Sequence, residues 1–140
     1  MCQGTRLMDL KLGEASKLGK LKNHVDMSSQ ATKQFLKEFN LPQEAVDKII
    51  NCVEGHHREI HWKCKEAEIT ANADCYKFLL LKNWLTFFHH LGTRMPFNEA
   101  LAYAGEKAEE KWTILSLDIC KKELEPHYKL IREIIAKASK

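Results

Sequence analysis

Residues 65–91 have the sequence KEAEITANADCYKFLLLKNWLTFFHHL, and this stretch decides the fold class. Taken in steps of four and three residues, six of seven positions are apolar, which is the pattern of one buried helical face. The seven positions are Ala67, Ala71, Asp74, Phe78, Leu81, Leu85 and Phe88. Gly92 then follows as a C-terminal stop. We therefore predict one long helix over residues 65–91, with core residues along this stripe.

The rest of the chain is also predicted to be helical. Only three prolines and six glycines punctuate its 140 residues, which favours long helices over many short strands. Further helices are predicted over residues 26–39, 42–55, 99–116 and 117–138, and residues 1–23 are a weakly defined N-terminal segment. The fold class is all-α: a compact single-domain bundle of five to six helices spanning residues 1–140.

Composition excludes several functional classes. A formal charge of +3 with no basic run of four residues does not indicate a nucleic-acid polymer as partner. No apolar stretch approaches the length of about 18 residues that a membrane span needs. The five cysteines are odd in number, none stands in a CxxC pair, and no signal peptide precedes them. We expect a cytoplasmic protein with reduced thiols; homo-oligomerisation is left open.

Asp74 is the exception in the apolar stripe. A carboxylate in a protein core costs several kcal/mol unless a cation, a metal or several donors satisfy it. One reading is a buried Asp paired with Lys or Arg, or capping a neighbouring helix. The other is a metal ligand, because small Ala71 and Ala73 would let an ion approach closely.

Three histidines support the interpretation of Asp74 as a metal ligand. His56 and His57 extend the apolar face of the helix over residues 42–55 by one turn, and His24 stands just before another helix. A neutral imidazole is a common ligand of divalent metals, and imidazole with carboxylate suits several first-row ions. A divalent metal site shared with Asp74 is therefore predicted, with the metal left open. Ordinary core or surface histidines are the alternative.

The order of these residues resembles the HD-domain superfamily of metal-dependent phosphohydrolases. Three segments carry the likeness: NHVDMSSQATKQFL at 23–36, VDKIINCVEGHH at 46–57 and KEAEITANADCYKF at 65–78. The later EALAYAGEKAEEKW, residues 99–112, is similar to the helix that follows in small members. The resemblance covers residue 23 to the C-terminus and implies an all-helical fold.

The N-terminal motif of the family is altered here. Members carry a His-Asp pair preceded by another His ligand, whereas this chain has Met8-Asp9 at that place and no His-Asp dipeptide. The resemblance implies His56 and Asp74 as catalytic residues. The metal ligands that it implies are Asp9, His24, His56, His57 and Asp74.

Three functional hypotheses follow from these patterns. The first is a metal-dependent phosphohydrolase acting on a phosphorylated small molecule or nucleotide, with Lys20 or Lys22 steering the phosphate. The second is a catalytically degenerate HD-like helical domain that binds a ligand or a protein partner. The third is a shortened version of an active enzyme, whose missing His lies upstream.

Overall fold

The computed structural model describes residues 4–57 and 61–139 of the chain. Every regular element in these two ranges is helical and no strand forms, which confirms the all-α prediction. The chain divides into two compact units, Met1–Ala73 and Asp74–Lys140. The prediction of a single domain over residues 1–140 stays a prediction. None of the described helices has the length and apolarity needed to cross a bilayer.

The first unit contains short helices at its N-terminus and longer ones after them. In chain order they are α1 (Gly4–Leu7), α2 (Leu12–Lys17), a 3₁₀ turn (Leu21–Asn23), α3 (His24–Leu36), α4 (Gln43–Gly55) and the start of α5 (Lys65–Leu79). Helix α3 packs on α4, α1 packs on α4, and α2 packs on α3. The Ser29 hydroxyl donates to the Glu54 carboxylate at 2.6 Å across the α3–α4 contact.

The N-terminal segment, predicted to be weakly defined, contains its own backbone hydrogen bonds. Gly19 adopts a φ of 67°, the left-handed conformation in which glycine ends a helix without strain. The amide of Gly19 donates to the Ser16 carbonyl, and the amide of Lys20 donates to the Ala15 carbonyl. This paired ending of α2 turns the chain into the 3₁₀ turn. Since the turn leads directly into α3, it places His24 in the first turn of that helix.

The prediction of one helix over residues 65–91 is wrong. Helix α5 ends at Leu79 and α6 begins at Leu81, because Leu80 takes φ −58° and ψ 124°, outside the helical region. Side chains satisfy the backbone groups that the break releases. The Asn83 amide donates to the Lys77 carbonyl at 2.7 Å, and the Leu81 N–H donates to Nδ1 of His127 at 3.3 Å. The break also raises the number of described helices above the five or six predicted.

The buried face departs from the predicted stripe on both sides of the break. Cys75, Leu79 and Trp84 are fully buried, while Leu85 of the predicted stripe is 41% exposed. Phe78, Leu81 and Phe88 are only partly buried. The periodicity therefore located the buried side of α5 at Ala67 and Ala71. From Cys75 onward the fully buried positions differ from the predicted ones by one residue, both before and after Leu80.

The second unit is built on three helices. These are α6 (Leu81–Gly92), α7 (Phe97–Ile114) and α8 (Asp118–Ala138), each packing on the other two. The Trp84 indole N–H donates to the Ala104 carbonyl at 3.0 Å, which fixes α6 on α7. Between α7 and α8 the rings of Trp112 and Tyr128 stack with centroids 4.2 Å apart. The Tyr128 hydroxyl donates to Glu109 at 2.6 Å.

Truncation of Leu79 tests the corrected core. Leu79→Ala removes a fully buried side chain and should lower the free energy of unfolding by about 2–5 kcal/mol. Leu85→Ala, the matched control at a position of the predicted stripe, should cost less than about 0.5 kcal/mol because the side chain is exposed. Urea unfolding of the two variants measures both. Equal losses would contradict the corrected assignment of the core.

The second unit should also lose stability at high pH through Tyr128. Burial, together with the neighbouring Glu109 carboxylate, raises the pKa of Tyr128 from 10.0 to about 12. A phenol whose pKa is raised by folding stabilises the folded state below the unfolded pKa, and this contribution disappears as the pH rises towards 12. The free energy of unfolding should therefore fall more steeply between pH 10 and 12 in the wild type than in Tyr128→Phe.

Denaturant titrations at pH 9, 10 and 11 measure this difference. Tyr103→Phe is the control, since Tyr103 is 38% exposed and belongs to the same unit. Its pH profile should run parallel to that of the wild type. If the pH profile of Tyr128→Phe also runs parallel to that of the wild type, the Tyr128 phenol does not contribute to the pH dependence of stability.

Candidate metal centre

Three separate elements of the first unit carry the histidines and carboxylate of the candidate centre. Asp9 lies in the turn between α1 and α2, and His24 is the first residue of α3. His56 and His57 directly follow Gly55, the last residue of α4. Because α1 packs on α4 and α2 packs on α3, these chain segments meet at one place.

Backbone carbonyls fix the orientation of two of the imidazole rings. Nδ1 of His24 lies 2.6 Å from the Leu21 carbonyl, and Nδ1 of His56 lies 2.6 Å from the Val53 carbonyl. A carbonyl oxygen can only accept, so each Nδ1 carries the proton. In the neutral ring Nε2 then holds the free lone pair. Both histidines are thus held in the tautomer that a metal ligand needs.

The Nε2 sides of these rings face a common region. His24, His56 and His57 each offer one ring nitrogen, and the three nitrogens lie within 4.8 Å of one another. Nε2 of His24 is 3.2 Å from Nε2 of His57. The ring centroids of His56 and His57 are 4.3 Å apart, and those of His24 and His56 are 5.9 Å apart.

Asp9 adds a carboxylate to the three imidazoles. Its Oδ1 lies 3.7 Å from Nε2 of His24 and 3.7 Å from Nε2 of His56. Neighbouring His56, above all, lowers the pKa of the Asp9 carboxyl; the charges of His24 and His57 act in the same direction, and partial burial opposes them. The carboxylate is therefore kept ionised, and since its side chain is 39% exposed it connects the cluster with solvent.

Within the cluster, the buried surroundings of His56 point most directly to a bound ligand. The residue is 0% exposed, and its Nε2 has no hydrogen-bond partner among the described residues. The Asp9 oxygen at 3.7 Å is too far for a direct bond. Leaving a buried polar atom unsatisfied costs about 1–3 kcal/mol, so such atoms usually have a bound partner.

The donor set fits a divalent transition metal. With ligand bonds of about 2.0–2.2 Å, the ligand atoms around a tetrahedral ion are about 3.3 Å apart. The Nε2 atoms of His24 and His57 are 3.2 Å apart. Oδ1 of Asp9 is 3.7 Å from Nε2 of His24 and 3.7 Å from Nε2 of His56. The three imidazole nitrogens lie within 4.8 Å of one another, so binding of an ion requires the more distant pairs to approach those spacings. Imidazole nitrogens favour borderline ions such as Zn²⁺, Ni²⁺ and Co²⁺ over Mg²⁺ and Ca²⁺.

Asp74 is engaged elsewhere in the structure. It belongs to the second unit, where its carboxylate accepts a hydrogen bond from Nζ of Lys111 at 2.6 Å. The Lys111 side chain is 7% exposed and that of Asp74 is 18% exposed, so the ion pair is largely buried. The sequence analysis left open that Asp74 is paired with Lys or Arg, and the structure shows such a pair. The further role of Asp74 as a catalytic residue and metal ligand stays a prediction.

The remaining histidines have other surroundings. His61, His89 and His90 are exposed, and His127 accepts the Leu81 amide at the break between α5 and α6. Sequence patterns alone gave no indication of Lys111 as the partner of Asp74, because the two residues are 37 positions apart.

No family model, curated protein or solved structure matches this chain.

His56→Asn tests whether the cluster binds metal. Asparagine can keep the donor towards the Val53 carbonyl but lacks Nε2, so the fold is preserved while one ligand is lost. Wild-type protein should bind one equivalent of Zn²⁺ in a calorimetric titration. His56→Asn should bind it at least about 100-fold more weakly. His89→Asn, at an exposed position of α6, should bind like the wild type. Equal affinities in all three proteins would exclude the site.

Proposed function

We propose that this protein is an HD-like, metal-dependent phosphohydrolase that acts on a phosphoester or nucleotide. One observation carries the proposal. The imidazole of His24 and those of the consecutive His56 and His57 present their ring nitrogens within 4.8 Å of one another, beside the carboxylate of Asp9. The order of these residues in the chain is the order in which the HD-like segments occur. Asp9, His24, His56 and His57 would hold the metal.

The contacts of His24, His56 and Asp9 indicate the part of each in this proposal. His24 and His56 present preset lone pairs, because their Nδ1 atoms donate to backbone carbonyls. Asp9 contributes negative charge at the solvent-facing side of the cluster. A divalent ion bound here supplies positive charge that lowers the pKa of a water molecule and stabilises the developing oxyanion.

Two lysines beside the cluster favour a phosphorylated substrate. Lys20 and Lys22 are exposed and flank Leu21, whose carbonyl orients the His24 ring. Ammonium groups at this place attract the phosphate dianion over several ångströms and act as point charges rather than bidentate clamps. Exposed point charges of this kind suit the steering of phosphate and not the recognition of one particular alcohol or base. Substrate selectivity within phosphoesters must therefore come from other side chains.

A second candidate function is a degenerate HD-like domain that binds a ligand or a protein partner without hydrolysis. Two observations favour it. Met8 replaces the histidine of the His-Asp pair, and a thioether is a poor ligand for hard ions. The Asp74 carboxylate is already neutralised by Lys111. Metal binding without turnover would support this second function over the first.

Hydrolysis assays distinguish the two functions. Wild-type protein loaded with Mn²⁺, Co²⁺, Ni²⁺ or Zn²⁺ should release phosphate from p-nitrophenyl phosphate or from a set of nucleotides. The rate should fall at least about 100-fold in His56→Asn, since a metal ligand is lost. His89→Asn should keep the full rate. Metal binding with no release from any of these substrates would reject the enzymatic function and leave the binding domain.

Met8→His restores the missing residue of the pair and gives the next prediction. An added imidazole beside Asp9 should raise Zn²⁺ affinity about tenfold or more. Changing a single residue around a metal site typically alters metal affinity by this much. Phosphate release should rise with it. Met8→Leu, which adds no ligand atom, should match the wild type in both measurements. Unchanged affinity in Met8→His would contradict the correspondence between Met8-Asp9 and the His-Asp pair.

A further inference from the structure

The short segment 61–64, which precedes α5, is tied to α4 by one buried amide. Asn51 is 5% exposed, and its Nδ2 donates to the His61 carbonyl at 3.3 Å. Its Oδ1 accepts the Lys63 amide at 2.8 Å. A carbonyl and an amide two residues apart are thus satisfied by a single side chain, although residues 61–63 belong to no helix.

Trp62 lies between these two anchored residues and reaches the end of α4. Its indole N–H donates to the carbonyl of Gly55 at 2.9 Å. The last carbonyls of a helix have no partner within the helix, so this bond satisfies one of them. Gly55 is buried and is the residue immediately before His56.

The bond from Trp62 therefore acts on the peptide that carries His56. The Gly55 carbonyl and the His56 amide belong to one planar unit, so fixing the oxygen fixes the rotation of the whole plane. The His56 ring is held from its other side by the Val53 carbonyl, at 2.6 Å from Nδ1. With both backbone plane and ring anchored, Nε2 has little freedom to leave the cluster. Metal ligands need placement to within about 0.5 Å.

We propose that Trp62 is a positioning residue for the metal centre, with Asn51 holding the segment that presents it. The inference rests on the proposed metal-dependent function. Trp62 is not itself one of the proposed ligands; it sets the orientation of the peptide that carries His56 and, one residue later, His57. Outer groups of this kind change metal affinity because a misplaced ligand binds an ion weakly even when the fold is intact.

A pair of matched substitutions separates positioning from general stability. Trp62→Phe removes the indole N–H and keeps an aromatic ring. Trp84→Phe makes the same change in the second unit, where the indole donates to the Ala104 carbonyl at 3.0 Å. For each protein, Zn²⁺ affinity is measured by competition with a chromophoric chelator, and the thermal midpoint is measured without metal.

Trp62→Phe should weaken Zn²⁺ binding about tenfold. Trp84→Phe should change the affinity less than about twofold, although it should lower the thermal midpoint at least as much, because Trp84 is fully buried. Asn51→Ala, which frees the segment from its anchor, should weaken binding by a factor similar to that of Trp62→Phe. Asn51→Ala also tests the positioning role if Trp62→Phe does not fold.

The failures of the two proposals are distinguishable. If the wild type does not bind Zn²⁺, the proposed function fails and the positioning role falls with it. If the wild type binds and both Trp62→Phe and Asn51→Ala bind equally well, the metal centre stands and the positioning role is overturned. Equal weakening in Trp62→Phe and Trp84→Phe would also overturn it, because affinity would then follow stability alone.

Discussion

The hydrogen bond from Nδ1 of His56 to the Val53 carbonyl is the constraint on which the candidate centre depends. It turns a fully buried imidazole so that its other nitrogen faces a place where the described residues offer no hydrogen-bond partner. In a folded domain an unsatisfied buried nitrogen lowers stability by about 1–3 kcal/mol. A sequence selected only for stability would more easily carry an apolar residue there. The energetic penalty is understandable if Nε2 is kept for a ligand.

The two carboxylates considered from the sequence have opposite electrostatic situations. Asp9 is partly exposed and faces imidazoles, groups whose charge is variable near neutral pH. Asp74 faces the ammonium of Lys111 in a largely buried ion pair. Removing one partner of such a pair leaves a buried charge uncompensated, which costs more than the pair contributes. Asp74 is therefore fixed by structural electrostatics within its own unit, whereas Asp9 is available to a ligand.

Local patterns predicted the helical class and the position of His56 and His57 at the end of the helix that precedes them, because these follow from residues close in sequence. They did not predict the break at Leu80. Its stabilising contacts include the bond from the Leu81 amide to His127, across 46 positions, and periodicity carries no information about such a contact. The same limit applies to Lys111. The proximity of His24 to His56 came instead from a resemblance, and the tautomers that make the pair useful depend on carbonyl contacts invisible in the sequence.

The composition of the cluster has a consequence for the proposed chemistry. Three imidazoles and one carboxylate carry only one formal negative charge, so a divalent ion held by them would keep a net charge of about +1. That residual charge favours an anionic substrate and a bound hydroxide more than a site rich in carboxylates would. The exposed Lys20 and Lys22 add to the same positive potential. A phosphate dianion is attracted by both sources, and the positive charge of the centre itself therefore argues for phosphoester substrates over neutral ones.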